Sequence, residues 1–335
     1  MSISRTFPQK RDYSIDVISG VFICNMILGH CILMSGTFYL PFTKNLNYLY
    51  FFMPWFFFKS GQFFHCKTQK IIIKESYRRL LLPFFIFSII GHFFEILNIA
   101  LSKNICYQIS NLLPIKSLII QGAIPANLPL WYLLSLFFVR TIGNIIIKTT
   151  SNKQTIGVIA LIFICIALLL FFNNVRYPLY LSNICTGLFF FLMGYIFKEI
   201  QFHLFFFIIS FCGYLCFCIF GLTIVDMRLN KLLHGFYLLF PIASIMGIVF
   251  INNIIKRLNI RCRPLEFIGK NSMDFYVLHW IIITVVFIII NTLEIDISRK
   301  KLLISFIGAN ATIIPALIFT FHKNKYYRKA MGYST

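Results

Sequence analysis

The feature that most constrains this chain is a recurrence of long apolar runs. Windows at 14–36, 48–66, 80–101, 128–147, 155–173, 183–198, 202–222, 232–252, 273–291 and 302–321 each have about the length and apolarity that cross a hydrocarbon core of ~30 Å. Most are bounded by Pro, Asn or basic residues. Lipid offers backbone N–H and C=O groups no partner, so runs of this kind fold as helices. The sequence therefore predicts an all-α polytopic membrane protein, a bundle of about ten transmembrane helices. Hydrophobic residues make up 59% of the chain, charged residues only 12%, and mean hydropathy is +0.82, which excludes an ordinary soluble domain. No polar stretch exceeds about 25 residues, so residues 1–335 read as a single integral-membrane domain.

A net charge of +21 would suggest nucleic acid in a soluble protein. Here the basic residues cluster between apolar runs, as the positive-inside rule expects, and nucleic-acid binding is not indicated. With both termini cytoplasmic, 21 basic residues fall inside and nine outside, which supports that orientation. The first run follows Arg5, Lys10 and Arg11 as a signal peptide would, yet it lacks a small-x-small cleavage site and is read as a retained helix. Ten cysteines include no CxxC pair, so neither a metal site nor a disulfide framework is signalled.

Titratable groups inside such runs carry the functional signal. From Val17 to Met34 the strongly polar side chains are Ser19, Asn25 and His30. At 100° per residue Ser19 and His30 project within about 20° of each other, and Asp16 lies about 40° from His30. That stripe faces protein or a water-filled cavity; His30 serves chemistry there or hydrogen-bonds a neighbouring helix. The second window places Pro54, Lys59, Ser60 and Gly61 at lipid depth, where Lys59 either snorkels or enters an internal cavity. Arg78 and Arg79 lie in the basic cluster Lys74–Arg79, which reads as a cytoplasmic anchor or as a phosphate site, since paired arginines suit bidentate phosphate contacts. His92 and Glu95, at i and i+3, can relay a proton or satisfy each other. The connection 102–127 could cover a cavity from the outer side.

Taken together, these stretches resemble a known family. Arg11 to Asp16 with Leu28-Gly29-His30, then Met53-Pro54-Trp55 through Lys59-Ser60-Gly61, Arg79-Leu80-Leu81-Leu82-Pro83, Pro129-Leu130-Trp131-Tyr132-Leu133, and Ile268-Gly269-Lys270-Asn271-Ser272 through Leu278-His279 follow in order the motifs of the membrane-bound acyltransferase 3 family. The chain is most similar to its stand-alone sugar O-acetyltransferase branch. Ser19, Phe52 and Ser76 stand where many members carry a basic residue. The resemblance implies a bacterial plasma (inner) membrane enzyme that transfers an acetyl group from cytoplasmic acetyl-CoA, without a metal, to a hydroxyl of a surface polysaccharide or its lipid-linked precursor. Acetyl-CoA, a glycan or lipid-linked sugar and the bilayer are the implied partners.

For that chemistry His30 is the expected base or acyl carrier, since neutral imidazole can serve as either, with Glu95 as its candidate partner. Arg11, Asp16, Ser19, Lys59, Ser60, Arg78, Arg79, Trp131, Asn271 and His279 are the expected donor-side contacts. An arm reaching His30 from the cytoplasm requires a tunnel lined by the Ser19–His30 stripe and by the second helix near Lys59 and Ser60, closed outside by Trp131. The alternative is a transporter or flippase for an anionic or lipid-linked sugar, which would also use intramembrane charges; no 20–50-residue repeat or inverted halves are visible in its favour.

Overall fold

The computed structural model describes residues 12–38, 46–101, 114–150, 152–221 and 223–333, and every apolar window of the sequence meets a helix there. In order these are α1 (Tyr13–Ser35), α2 (Phe52–Gln62), α3 (Gln69–Ser76) continuing through one π turn (Tyr77–Leu81) into α4 (Leu82–Leu101), and a short α5 (Ile115–Gln121). A 3₁₀ turn (Pro125–Leu130) leads to α6 (Trp131–Thr149), α7 (Lys153–Phe172), α8 (Leu179–Ile196) and α9 (Leu204–Phe220). The hairpin of β1 (Ile224–Asp226) and β2 (Lys231–His234) precedes α10 (Phe240–Arg257), α11 (Arg263–Lys270), α12 (Ser272–Thr292), α13 (Arg299–Phe321) and α14 (Lys325–Ala330). Among the described residues seven helical segments are long and apolar enough to cross a membrane, with α8 and α9 as shorter apolar helices. The chain is an all-α polytopic membrane protein.

Local chemistry sets the helix limits. Asp12 caps α1 by accepting the Ser14 N–H at 3.0 Å, and Gly36 ends it at φ 64°, in the left-handed region that glycine enters without cost. α2 is much shorter than its 19-residue window. Pro54 lacks an N–H and belongs in a first turn, so the helix starts only two residues before it and runs 11 residues to Gln62. Residues 102–113 of the expected outer cover lie outside the described residues; the remainder forms α5 and the 3₁₀ turn, whose Asn127 Nδ2 donates to Phe87 O on α4 at 3.4 Å.

Small residues bring the site-bearing helices together. A Cβ on Gly61 of α2 would strike the Phe191 carbonyl of α8, and one on Gly194 of α8 would strike the Phe58 carbonyl of α2. The two backbones therefore cross in contact, the usual device where lipid removes the hydrophobic drive between helices. The same holds where Gly20 of α1 meets Leu265 and Gly269 of α11 meets Asp16. α1 and α2 touch through aromatic side chains, Phe22 packing on Phe51, Trp55 and Phe56 with ring centroids 5.1–6.4 Å apart. Trp55 Nε1 donates to Asn252 Oδ1 at 2.8 Å, tying α2 to α10 without a buried orphan.

Gly61→Val and Gly194→Val should therefore each lower the detergent melting temperature by several degrees, as overpacking typically costs ~1–3 kcal/mol. Gly308→Ala, where nothing lies within 4 Å of the added Cβ, should leave it unchanged or raised. A thermal-shift series on the three variants checks this.

Candidate functional site

Two cavities open inside the bundle, and α2, α6 and α12 line both. The first, about 620 Å³, holds His30 and Asn25 of α1, Met53 of α2, Trp131 of α6, and Tyr276 and Trp280 of α12, with Asp226 and Arg228 of the hairpin on its far wall. The second, about 720 Å³, holds Phe56, Lys59 and Ser60 of α2, Arg79 of the π turn before α4, Tyr132 and Arg140 of α6, and Ser272 of α12. Along α2 the first cavity reaches Pro54 and the second begins at Phe56, so less than one helical turn separates them. Aromatic rings fill that septum. Phe56 and Tyr132 lie 6.2 Å apart by centroid, and Tyr132 and Tyr276 5.8 Å. The expected continuous tunnel is thus two chambers with an aromatic partition.

His30 has one decisive contact. Its Nδ1 lies 2.9 Å from Nε2 of His279, the two rings nearly parallel at 9° with centroids 5.1 Å apart, and Trp280 meets the His30 ring edge-on at 5.3 Å. His279 is fully buried, and its Nδ1 faces the carbonyls of Tyr276 at 2.8 Å and Phe275 at 3.2 Å. Carbonyls only accept, so Nδ1 of His279 carries the proton and its Nε2 is the acceptor in the neutral ring. The His30 Nδ1–H then donates to it. The other ring nitrogen of His30, Nε2, keeps its lone pair for the cavity that His30 lines. This is a base held in one tautomer by a second imidazole, which a helix backbone holds in turn.

The second cavity is basic. Lys59 Nζ donates to Ser19 Oγ at 2.6 Å and sits 4.9 Å from the Trp55 ring, so the lysine turns inward and joins α2 to the α1 stripe. Lys67 is paired with Glu75 at 2.7 Å, leaving Arg79 and Arg140 as guanidinium groups on the wall. Arg140 stacks over Phe64 at 5.7 Å, and its buried Nε has no hydrogen-bond partner. An oxyanion would satisfy it, and a polyphosphate fits such a wall. Arg79 is placed by the C-terminal segment: Gly332 packs against its backbone, Arg78 donates to Tyr333 O at 3.4 Å, and the Tyr327 and Tyr333 hydroxyls both donate to the Asp274 carboxylate. Burial, reinforced by Asp274, pushes both phenols above their usual range, so they remain donors across physiological pH.

This double arrangement, a free imidazole nitrogen and a separate cationic chamber, suits group transfer between a charged donor and a second substrate. The family model described as an acyltransferase domain matches residues 12–321, nearly the whole chain. The chain belongs to the acyltransferase 3 family. Neither a curated protein nor a solved structure matches it.

The acyltransferase gathers His30 and Trp131 on one cavity and Lys59, Ser60 and Arg79 on the other, with Ser19 reached through Lys59. Other expected residues lie elsewhere. Glu95 pairs with His92 at 3.8 Å on α4 and lines neither cavity, so the partner of His30 is His279, placed there by α12 one turn beyond Phe275. His279 is correspondingly no donor contact, because it is sealed behind His30. Asn271 donates to Phe267 O at 2.8 Å across the α11–α12 junction, Asp16 is buried against α11, and Arg78 is held by the C-terminal segment; none of the three lines a cavity. Arg11 lies outside the described residues. Arg140 and the Asp226–Arg228 hairpin were not foreseen. Arg140 falls inside the apolar window 128–147, and that placement was the available signal; the hairpin residues carry none in sequence, because folding alone brings them to His30.

Replacing His279 tests the tautomer argument. His279→Leu should lower the kcat of acyl transfer on the order of 10- to 100-fold with KM nearly unchanged, since it removes the acceptor for His30 Nδ1–H without emptying a binding surface. His279→Gln, which restores an acceptor oxygen, should recover part of the loss, and the pH profile should shift in the leucine variant alone.

Proposed function

We propose that this acyltransferase takes an acetyl group from cytoplasmic acetyl-CoA and delivers it to a hydroxyl of a surface polysaccharide or its lipid-linked precursor at the plasma membrane, using His30 Nε2 as the general base. The observation that carries this reading is the His30–His279 pair, because it leaves an unprotonated imidazole nitrogen on a residue that lines a cavity large enough for a sugar.

The basic chamber, with Arg79, Arg140 and Lys59 on its wall, supports a phosphate-bearing donor on the cytoplasmic side. In this scheme the pantetheine arm passes between Phe56 and Tyr132 and carries the thioester to the His30 chamber. His30 Nε2 accepts the proton of the acceptor hydroxyl as its oxygen attacks the thioester carbonyl. The carbon–sulfur bond then breaks, and the departing sulfur takes that proton back from Nε2. The imidazolium formed between these steps is stabilised by its Nδ1–H bond to His279 Nε2, and the aromatic septum limits hydrolysis by excluding bulk water. A transporter would use the same charges, but a base with its tautomer fixed is a requirement of chemistry rather than of passage.

Proteoliposomes loaded with labelled acetyl-CoA should transfer label to an external glycan acceptor, and His30→Ala should cut the rate by ~10² to 10⁴. Activity within a few-fold of wild type would remove His30 from the mechanism. Arg140→Leu and Arg79→Ala should raise the apparent KM for acetyl-CoA, on the order of tenfold each, while leaving acceptor KM unchanged. Label that stays on CoA while the glycan itself moves across would favour the transporter.

A further inference from the structure

The His30 chamber carries more recognition chemistry than proton removal needs. Its far wall is the hairpin between α9 and α10, and the hairpin is firmly fixed. β1 pairs antiparallel with β2, and Asp226 Oδ1 accepts the N–H of Arg228 at 2.9 Å and of Leu229 at 3.2 Å. Asn230, at φ 48°, donates to Ala167 O on α7 at 3.0 Å and accepts from the Tyr237 hydroxyl. Val225 and Met227 are buried to either side of Asp226. Held at so many points, the hairpin presents Arg228 to the cavity in a set place.

Asp226 and Arg228 are the two formally charged side chains on this cavity's wall. The aspartate is engaged in the turn, whereas among the described residues no carboxylate lies within 4 Å of the half-buried Arg228 guanidinium. A cation in a largely apolar chamber calls for an anion, and a guanidinium meets carboxylate or phosphate with two parallel hydrogen bonds. On the same wall Asn25 Oδ1 and Tyr50 OH are buried without a hydrogen-bond partner, in side chains only 8% and 7% exposed. Trp131 and Trp280 add flat apolar faces.

We propose that this chamber is a subsite for an acidic sugar, whose carboxylate or phosphate is held by Arg228 while ring hydroxyls meet Asn25 and Tyr50 and one hydroxyl reaches His30 Nε2. The proposal rests on the acyl-transfer reading and names the acceptor class for it. A uronic-type residue of the glycan and the phosphate of a lipid carrier are the two sources of such an anion.

The test uses the full-length protein in nanodiscs with three probes: methyl glucuronide, glucose 1-phosphate and neutral methyl glucoside. Binding is read from the fluorescence of Trp131 and Trp280, and transfer from labelled acetyl-CoA. At least one acidic probe should bind and accept label on the order of tenfold or more better than methyl glucoside. Arg228→Gln should erase that preference, and Arg228→Lys should keep part of it, each with an unchanged melting temperature. Preference for the glucuronide points to the glycan, and preference for glucose 1-phosphate to the lipid carrier; both support the subsite. Equal binding of all three, or a preference that survives Arg228→Gln, overturns it. Equal transfer to acidic and neutral probes leaves the acyl-transfer reading standing and removes the subsite. Arg228-dependent binding of acidic sugars with no transfer to any probe keeps the subsite and overturns the reading.

Discussion

The hydrogen bond between His30 and His279 is the contact on which the rest of the site depends. Two neutral imidazoles facing each other can bond in only one sense at a time, and the choice is made outside the pair, by the Phe275 and Tyr276 carbonyls that accept from His279 Nδ1. The backbone of α12 therefore decides which nitrogen of a side chain on α1 is free. Such control is cheap in a membrane. An anionic orienting group at this depth would carry a desolvation cost, whereas a second imidazole is uncharged when neutral and can still accept the proton bond of its partner. The glycine contacts of α1 with α11, and the Tyr276 hydroxyl donating to Pro129 O, hold α1 and α12 in the register that this bond needs.

The two chambers divide the electrostatics. The one bounded by the 2–3 connection gathers Lys59, Lys67, Arg79 and Arg140 around a single carboxylate, Glu75, while the one beneath the hairpin carries one cation and one anion in mostly apolar surroundings. In the proposed reaction the polyanionic donor occupies the former and a mainly neutral acceptor with one charge the latter. Phe56, Tyr132 and Tyr276 stand where the two meet; Tyr276 is anchored by its hydroxyl to Pro129 O, whereas the Phe56 ring has no hydrogen bond to break when it turns. In the proposed reaction a narrow acyl arm passes that point while water and ions do not.

Much of this was legible from the residues alone, for physical reasons. Long apolar runs admit little besides helices in lipid, so every window contains a helix, although α2 fills only 11 residues of 48–66 and the window 232–252 opens in strand β2; the polar stripe of α1 had to face protein, as Ser19 and His30 do. From the sequence Lys59 either snorkels or turns inward; although it sits in the last turn of α2, its 2.6 Å bond to Ser19 Oγ turns it inward. What stayed hidden depends on contacts between distant segments. The spacing of His92 and Glu95 is visible on one helix and drew attention to Glu95, yet His30 and His279 are 249 residues apart and only packing of α1 on α12 joins them. α2 could not be measured from its window, since apolar residues flank the helix on both sides and only Pro54 marks where it starts. The hairpin gives no apolar period to read, and its role follows from where α9 and α10 leave it.

The central claim is that His30 offers a bare Nε2 because His279 holds its Nδ1–H. Selective ¹⁵N-histidine NMR on the full-length protein tests this directly, with the His30 signals among the seven histidines identified by their loss in His30→Gln. The account predicts a neutral His30 with Nδ1 protonated and Nε2 unprotonated, and a shift of that pattern in His279→Leu. A His30 carrying its proton on Nε2, or one indifferent to loss of the His279 ring, would contradict it.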